Sequence, residues 1–165
     1  MKKLFLALAV ALLATVSYAQ RDIRPGSEME VADAEVNDCF FAIYKTKDLD
    51  GNSTYLFCAS REVASFSAEI FNSLSTFSAG EGVVLLFGET YEDAMENLEE
   101  LLDLFSGEDG DSMEFAARDG SAVTVVLRKG LLGKHLDIGP ASITRSSVKS
   151  LRTSLKISKK LHKDI

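Results

Sequence analysis

The chain contains few of the residues that mark specialised small proteins. Among its 165 residues there are two cysteines, two prolines and no tryptophan. Two cysteines exclude a disulfide-dense miniprotein, because such scaffolds need several bridges in place of a core. Two prolines exclude a proline-rich linker and a collagen-like chain. The apolar share of 46% and the charged share of 26% are those of an ordinary globular protein, and the length fits one domain.

Groups that perform catalysis are equally scarce. The chain has only two histidines, His135 and His162, and it contains no G-x-S-x-G, H-E-x-x-H or C-x-x-C motif. The glycines at Gly80, Gly82 and Gly133 lack the context of a phosphate-binding loop. The sequence therefore predicts no cofactor and no catalytic metal, and it makes an enzyme the weaker interpretation.

The chain also lacks an excess of basic residues. Lys and Arg number 18 against 25 Asp and Glu, which gives a formal charge of −7 and a pI near 4.9. Nucleic-acid binding requires a basic surface that neutralises phosphates. We therefore do not expect a nucleic-acid partner.

Only one stretch is apolar over a long distance, and it lies at the N-terminus. A basic start precedes an apolar run from Leu4 to Val16, and small residues follow at Ser17 and Ala19. This order is typical of a secretory signal peptide, and the run is too short to span a bilayer comfortably. We expect cleavage of residues 1–19 after Ala19. The protein is then exported, either periplasmic or secreted, with no transmembrane segment after cleavage.

The mature chain begins with a polar stretch. Residues 20–35 are mostly polar or charged, so we expect a flexible N-terminal leader there. Residues 36–165 are expected to form a single domain. Its first element is a predicted β-hairpin over 36–59, in which strands rich in aromatic residues flank the turn signal Asp50-Gly51.

A helix–strand–helix pattern follows this hairpin. Apolar residues recur at helical spacing over 61–79, and a short apolar run at 83–87 predicts a buried strand. Thr90 and Asp93 then have the spacing of an acidic capping box, which predicts the start of a second helix.

The last third of the chain predicts a second hairpin and a terminal helix. Two strand-like runs flank a turn over 112–128, a further strand is expected over 134–138, and the helix begins at about Thr144. The predicted fold class is therefore α+β. It comprises an antiparallel sheet from two β-hairpins plus a short β-α unit, with two or three helices packed on it.

The two cysteines, Cys39 and Cys58, fall in the two strands of the first hairpin. Export favours a disulfide. A two-residue turn at Asp50-Gly51 would however leave the cysteines about four residues out of register, on the order of 13 Å apart. A disulfide needs Cα atoms within about 7 Å. A bulge or a longer turn would change the register, so a disulfide and two buried free thiols are both open interpretations.

Charge is distributed unevenly along the chain. Residues 89–119 carry twelve acids and one base, whereas residues 128–165 carry ten bases and two acids. One interpretation is that an acidic and a basic helix attract each other within the domain. In another interpretation, the terminal helix binds an anionic partner. In a third, the acidic turn at 108–111 holds a weakly bound calcium ion. The candidate residues for the anionic partner are Lys149, Arg152, Lys156, Lys159, Lys160 and Lys163.

These observations favour a non-enzymatic exported module that binds or scaffolds. Its partner would be an envelope or extracellular protein, a polysaccharide or an anionic lipid. The alternatives are a small periplasmic or extracellular enzyme with a scattered site, marked by a polar pocket near His135, and a structural or assembly protein. Besides the basic helix, a second candidate surface is the group of aromatic residues Phe40, Phe41, Tyr44, Tyr55 and Phe57. Aromatic residues are, however, more often part of the core.

Overall fold

The computed structural model describes residues 26–36, 38–61, 82–131 and 133–161. The expected signal peptide, nearly all of the helix expected over 61–79, and the candidate residue Lys163 lie outside these ranges. In chain order, the described elements are β1 (Ser27–Val36), β2 (Cys39–Lys47), β3 (Ser53–Ser60), β4 (Gly82–Gly88), α1 (Tyr91–Leu104), β5 (Ser112–Ala116), β6 (Ala122–Gly130), β7 (Gly133–Ile138), β8 (Ala141–Thr144) and α2 (Arg145–Leu161).

The strands form two antiparallel sheets of four strands each, in the orders β1-β2-β3-β4 and β5-β6-β7-β8. A helix follows each sheet, so the described chain passes twice through four strands and one helix. The α+β class and the antiparallel pairing are thus confirmed. Helix α1 lies between β4 and β5 in the chain, and a bridge between Leu85 and Ala117 links the two sheets.

The flexible leader expected over residues 20–35 is wrong from Ser27 onward, and residues 20–25 lie outside the described ranges. The structure places Ser27–Val36 in an edge strand that pairs with β2. Ala32 and Ala34 lie opposite Ile43 and Phe41, while acidic residues occupy the alternate positions. A register shift between Glu30 and Ala32 interrupts this alternation. Because two of the core-facing residues are alanines and the alternation is broken, the strand has too weak an apolar pattern to be predicted.

The first hairpin is confirmed, and its register does not place Cys39 opposite Cys58, as a disulfide between them would require. The loop from Asp48 to Asn52 joins β2 to β3, and the Asn52 N–H donates to Asp48 Oδ1 at 2.8 Å. Cys58 therefore pairs with Ala42, three positions along β2 from Cys39. Cys39 belongs to the principal core and Cys58 to the cluster on the opposite face of the sheet. Since the thiols point to opposite faces, both are free.

The principal core combines one face of each sheet with the apolar sides of both helices. The rings of Phe57 and Phe87 stack there with centroids 4.8 Å apart. The other face of the first sheet carries a second buried cluster that includes Phe40 and Tyr44. All five aromatic residues proposed as a binding surface are thus buried, which corrects that alternative in favour of core packing.

Both helices begin at the residues that the sequence predicts. Thr90 accepts a hydrogen bond from the Asp93 N–H, and Asp93 Oδ2 accepts one from the Thr90 N–H, which completes the capping box of α1. Thr144 Oγ1 accepts from the Ser147 N–H at the start of α2. The short strand β8, which directly precedes α2, is too short for its pattern to be distinguished in the sequence.

Candidate functional site

Helix α2 presents its basic residues on the side away from the core. Val148, Leu151 and Leu155 are buried, and their spacing of three and four residues places them on one face of the helix. The segment Arg145–Leu161 contains six basic residues and no acid. Five of the six predicted candidates fall in this helix, so the expected basic helix exists as a folded element.

Two of the basic side chains turn toward α1. Lys159 Nζ lies 2.6 Å from Glu92 Oε1 and 3.8 Å from the centroid of the Tyr91 ring. The hydrogen bond from Lys159 lowers the pKa of Glu92 below its usual value. Arg152 Nε lies 2.6 Å from Glu99 Oε1. That contact is an ion pair whose N–H is not aligned for a hydrogen bond. The predicted attraction between an acidic and a basic helix is confirmed at these two pairs.

Three lysines of α2 point elsewhere. Lys149, Lys156 and Lys160 are exposed, and within the described ranges no acidic side chain forms an ion pair with them. Their spacing of seven and four residues places them along one side of the helix. Two exposed apolar side chains adjoin them, Ile157 at 52% and Leu161 at 61% exposure. We call these five residues the outer face of α2.

A pocket lies on the solvent side of the second sheet. A hollow of about 430 Å³ is lined by residues of β6, β7, β8 and the β6–β7 turn, among them Leu131, His135, Ser142 and Thr144. His135 pairs with Thr144 across β7 and β8. Polar side chains near His135 are the arrangement expected of a scattered enzyme site. Their contacts show whether the pocket contains the groups of a catalytic site.

The carboxylate of Asp137 is the centre of this group. Ser142 Oγ donates to Asp137 Oδ1 at 2.6 Å, His135 Nε2 lies 3.6 Å from the same oxygen, and Arg128 Nε lies 3.7 Å from the other. A serine nucleophile must pass its proton to a base such as histidine. Here the Ser142 proton is held by a carboxylate that also faces Arg128. The arrangement orients polar groups, and it is not the serine–histidine pair of that mechanism.

Lys134 lines the hollow, but its charge serves the fold. Its Nζ donates to the carbonyl oxygens of Phe105 at 3.0 Å and Gly107 at 2.6 Å. These carbonyls lie at the C-terminal end of α1, whose last turn contains no basic residue of its own. Lys134 therefore satisfies carbonyl groups at the negative end of that helix.

The acidic turn at 108–111 uses its carboxylates within the fold. Asp109 Oδ1 accepts from the Lys129 N–H, and Asp111 Oδ2 accepts from the Glu108 N–H. Among the described residues, no group of three or more His, Cys, Asp and Glu side chains is placed to hold a metal ion. The turn thus ties α1 to β6, and the contacts do not favour the calcium hypothesis.

The apolar residues of the outer face, Ile157 and Leu161, are not among the candidates predicted from the sequence. Ile157 and Leu161 lie out of phase with the buried residues Val148, Leu151 and Leu155, and that phase difference is a signal readable from the sequence.

In the part of the chain that the structure describes, no helix is long and apolar enough to cross a membrane. Comparison with known proteins finds no matching family model, no matching curated protein and no matching solved structure.

Proposed function

We propose that this protein is an exported, non-enzymatic binding module that docks onto an anionic partner through the outer face of α2. The main support for the proposal is the positive charge of the α2 lysines that form no ion pair within the described protein. Arg152 and Lys159 are paired with acids of α1, yet Lys149, Lys156 and Lys160 stay exposed on a helix without acids. Clustered lysines on a rigid element attract polyanions and anionic surfaces.

The experiment compares the protein with the variant K149Q/K156Q/K160Q on two anionic partners and their neutral counterparts. The anionic partners are a sulfated polysaccharide matrix and vesicles that contain phosphatidylglycerol. The control variant R61Q/R118Q/K129Q removes the same charge from exposed positions outside α2. Circular dichroism checks that every variant is folded.

The proposal predicts salt-sensitive retention on at least one anionic partner, lost in K149Q/K156Q/K160Q and largely kept in the control. Loss of equal size in both variants would reduce the effect to net charge and contradict a specific face. Absence of retention on both anionic partners at low salt would contradict the function itself.

Export is part of the proposal and is supported by the sequence of residues 1–19. Cleavage after Ala19 makes Gln20 the first residue of the exported chain. N-terminal sequencing of protein recovered from the exported fraction tests this directly, and a chain that still begins at Met1 would contradict it.

A second candidate function, a small enzyme, is favoured only by the hollow beside His135. If Ser142 were a nucleophile, a fluorophosphonate probe would label it, and His135→Asn would abolish the labelling. Our proposal predicts no labelling at Ser142, because its proton is donated to Asp137. The third alternative, a structural or assembly protein, predicts a defined oligomer in sedimentation equilibrium.

A further inference from the structure

The outer face of α2 places lysine side chains next to exposed aliphatic side chains. Lys156 and Lys160 lie one turn apart, and Ile157 and Leu161 follow each of them by one residue. Residues three or four positions apart are neighbours on a helix surface, so the lysines and the apolar side chains form two adjacent rows. Ile157 and Leu161 are two of the five exposed large apolar side chains among the described residues.

These paired rows discriminate between the possible anionic partners. A polysaccharide presents charges and hydroxyl groups, and it gives exposed aliphatic side chains no apolar environment. A lipid surface presents a layer of anionic headgroups directly above an apolar layer, and amphipathic helices bind there with lysines in the headgroups and aliphatic side chains below. Long lysine side chains also lie along apolar surface while their ammonium groups stay in water.

We infer that the partner of the outer face of α2 is an anionic lipid surface, on which the helix lies flat. This inference rests on the proposed function and names its partner. Docking needs no folding of the helix, because Val148, Leu151 and Leu155 already fix α2 to the core. The contact is therefore made by a preformed face, and its ordering cost is small.

The charge of the remaining protein restricts how it can approach such a surface. Without the signal peptide, the chain keeps 16 basic and 25 acidic residues. The neighbouring helix α1 exposes acids such as Glu96, Glu100 and Asp103. An anionic surface repels these groups, so only the side bearing Lys149, Lys156 and Lys160 approaches it closely.

The test measures co-flotation of the exported protein with vesicles of phosphatidylcholine, with and without phosphatidylglycerol, beside retention on a sulfated polysaccharide matrix. Three variants are compared: K149Q/K156Q/K160Q removes the charged row, I157S/L161S removes the apolar row, and L49S/L131S is the control. Leu49 and Leu131 are also exposed apolar residues, but they lie in hairpin turns.

We expect binding to phosphatidylglycerol vesicles and none to pure phosphatidylcholine. The charged-row variant loses about 100-fold in partitioning at low salt, and I157S/L161S loses about tenfold. L49S/L131S binds like the unmodified protein. If I157S/L161S binds vesicles as well as L49S/L131S does, the lipid inference is wrong.

The outcomes also separate this inference from the proposed function. Retention on the sulfated polysaccharide without vesicle binding would overturn the lipid inference and leave anionic docking through α2 intact. Binding to neither partner would overturn both. Equal vesicle binding with and without phosphatidylglycerol would show that the anionic headgroup is not what is recognised, which overturns the inference as stated.

Discussion

Lys159 Nζ lies 2.6 Å from Glu92 Oε1, and this contact fixes the last turns of α2 to the first turn of α1. Since Arg152 contacts Glu99 about two turns away on each helix, the two helices run antiparallel with their opposite charges facing. Arg152 and Lys159 are therefore paired within the molecule, whereas Lys149, Lys156 and Lys160 stay exposed.

Gly88 is the position where a side chain should be least tolerated. Its φ is +104°, and an added Cβ would collide with the side chain of Asp93, which caps α1. We expect Gly88→Ala to lower the free energy of unfolding by about 2–4 kcal/mol, the combined cost of backbone strain and overpacking. Urea denaturation measures this.

Gly120 provides the matched control for that substitution. Its φ is +84°, but nothing lies within 4 Å of an added Cβ. Gly120→Ala should therefore show only the backbone strain, about 1–2 kcal/mol. Equal losses for the two variants would mean that contact with Asp93 plays no part.

Lys134 is expected to stabilise α1 from outside the helix. Its ammonium donates to the carbonyls of Phe105 and Gly107. Lys134→Met keeps the aliphatic chain and removes both bonds, so the free energy of unfolding should fall by about 1–2 kcal/mol. Lys129→Met removes an exposed lysine nearby and should cost less than about 0.5 kcal/mol. A loss no greater than that of Lys129→Met would contradict the capping role.

Glu28 predicts a dependence of stability on pH. Burial raises the pKa of its carboxyl to about 7, although Arg118 partly opposes the shift. The folded protein then binds this proton more tightly than the unfolded chain, whose Glu pKa is 4.5. The contribution is fully present below pH 4.5 and is lost as the pH rises to 7. Glu28→Gln should flatten the decline in thermal stability across this window, and an unchanged pH profile would contradict the shift.

Both cysteines should be free, and Cys58 should be unreactive in the folded protein. Burial raises the pKa of the Cys58 thiol to about 12, and the thiolate is the reactive form. Iodoacetamide at pH 8 should therefore leave Cys58 unmodified until guanidinium is added, whereupon both Cys39 and Cys58 are alkylated. Mass spectrometry without reductant checks this, and recovery of an unalkylated, bridged chain would contradict the free thiols.

Local signals made much of the fold predictable. Thr90 and Asp93 have the spacing of a capping box, and that motif acts over one helical turn, so the start of α1 follows from sequence alone. The sequence predicts a two-residue turn at Asp50-Gly51, but the loop extends from Asp48 to Asn52 and the Gly51 N–H donates to the Asp48 carbonyl. That difference shifts the strand register, and with it the partner of each cysteine.

Features that depend on packing were not predictable. Strand β1 pairs small residues such as Ala32 and Ala34 with large partners on β2, so its burial depends on its neighbour. The division of the α2 lysines into paired and exposed groups likewise depends on where α1 lies. The sequence could identify the basic residues, but only the helix pair separates Lys159 from Lys156 and Lys160.

Partitioning onto phosphatidylglycerol-containing vesicles at low salt is measured for the chain that begins at Gln20 and for its variant K149Q/K156Q/K160Q. Docking through the outer face of α2 onto a lipid surface predicts that the unmodified protein binds and that the variant partitions about 100-fold less. R61Q/R118Q/K129Q should retain most of the binding. Equal partitioning of the protein and K149Q/K156Q/K160Q would contradict docking through the outer face of α2.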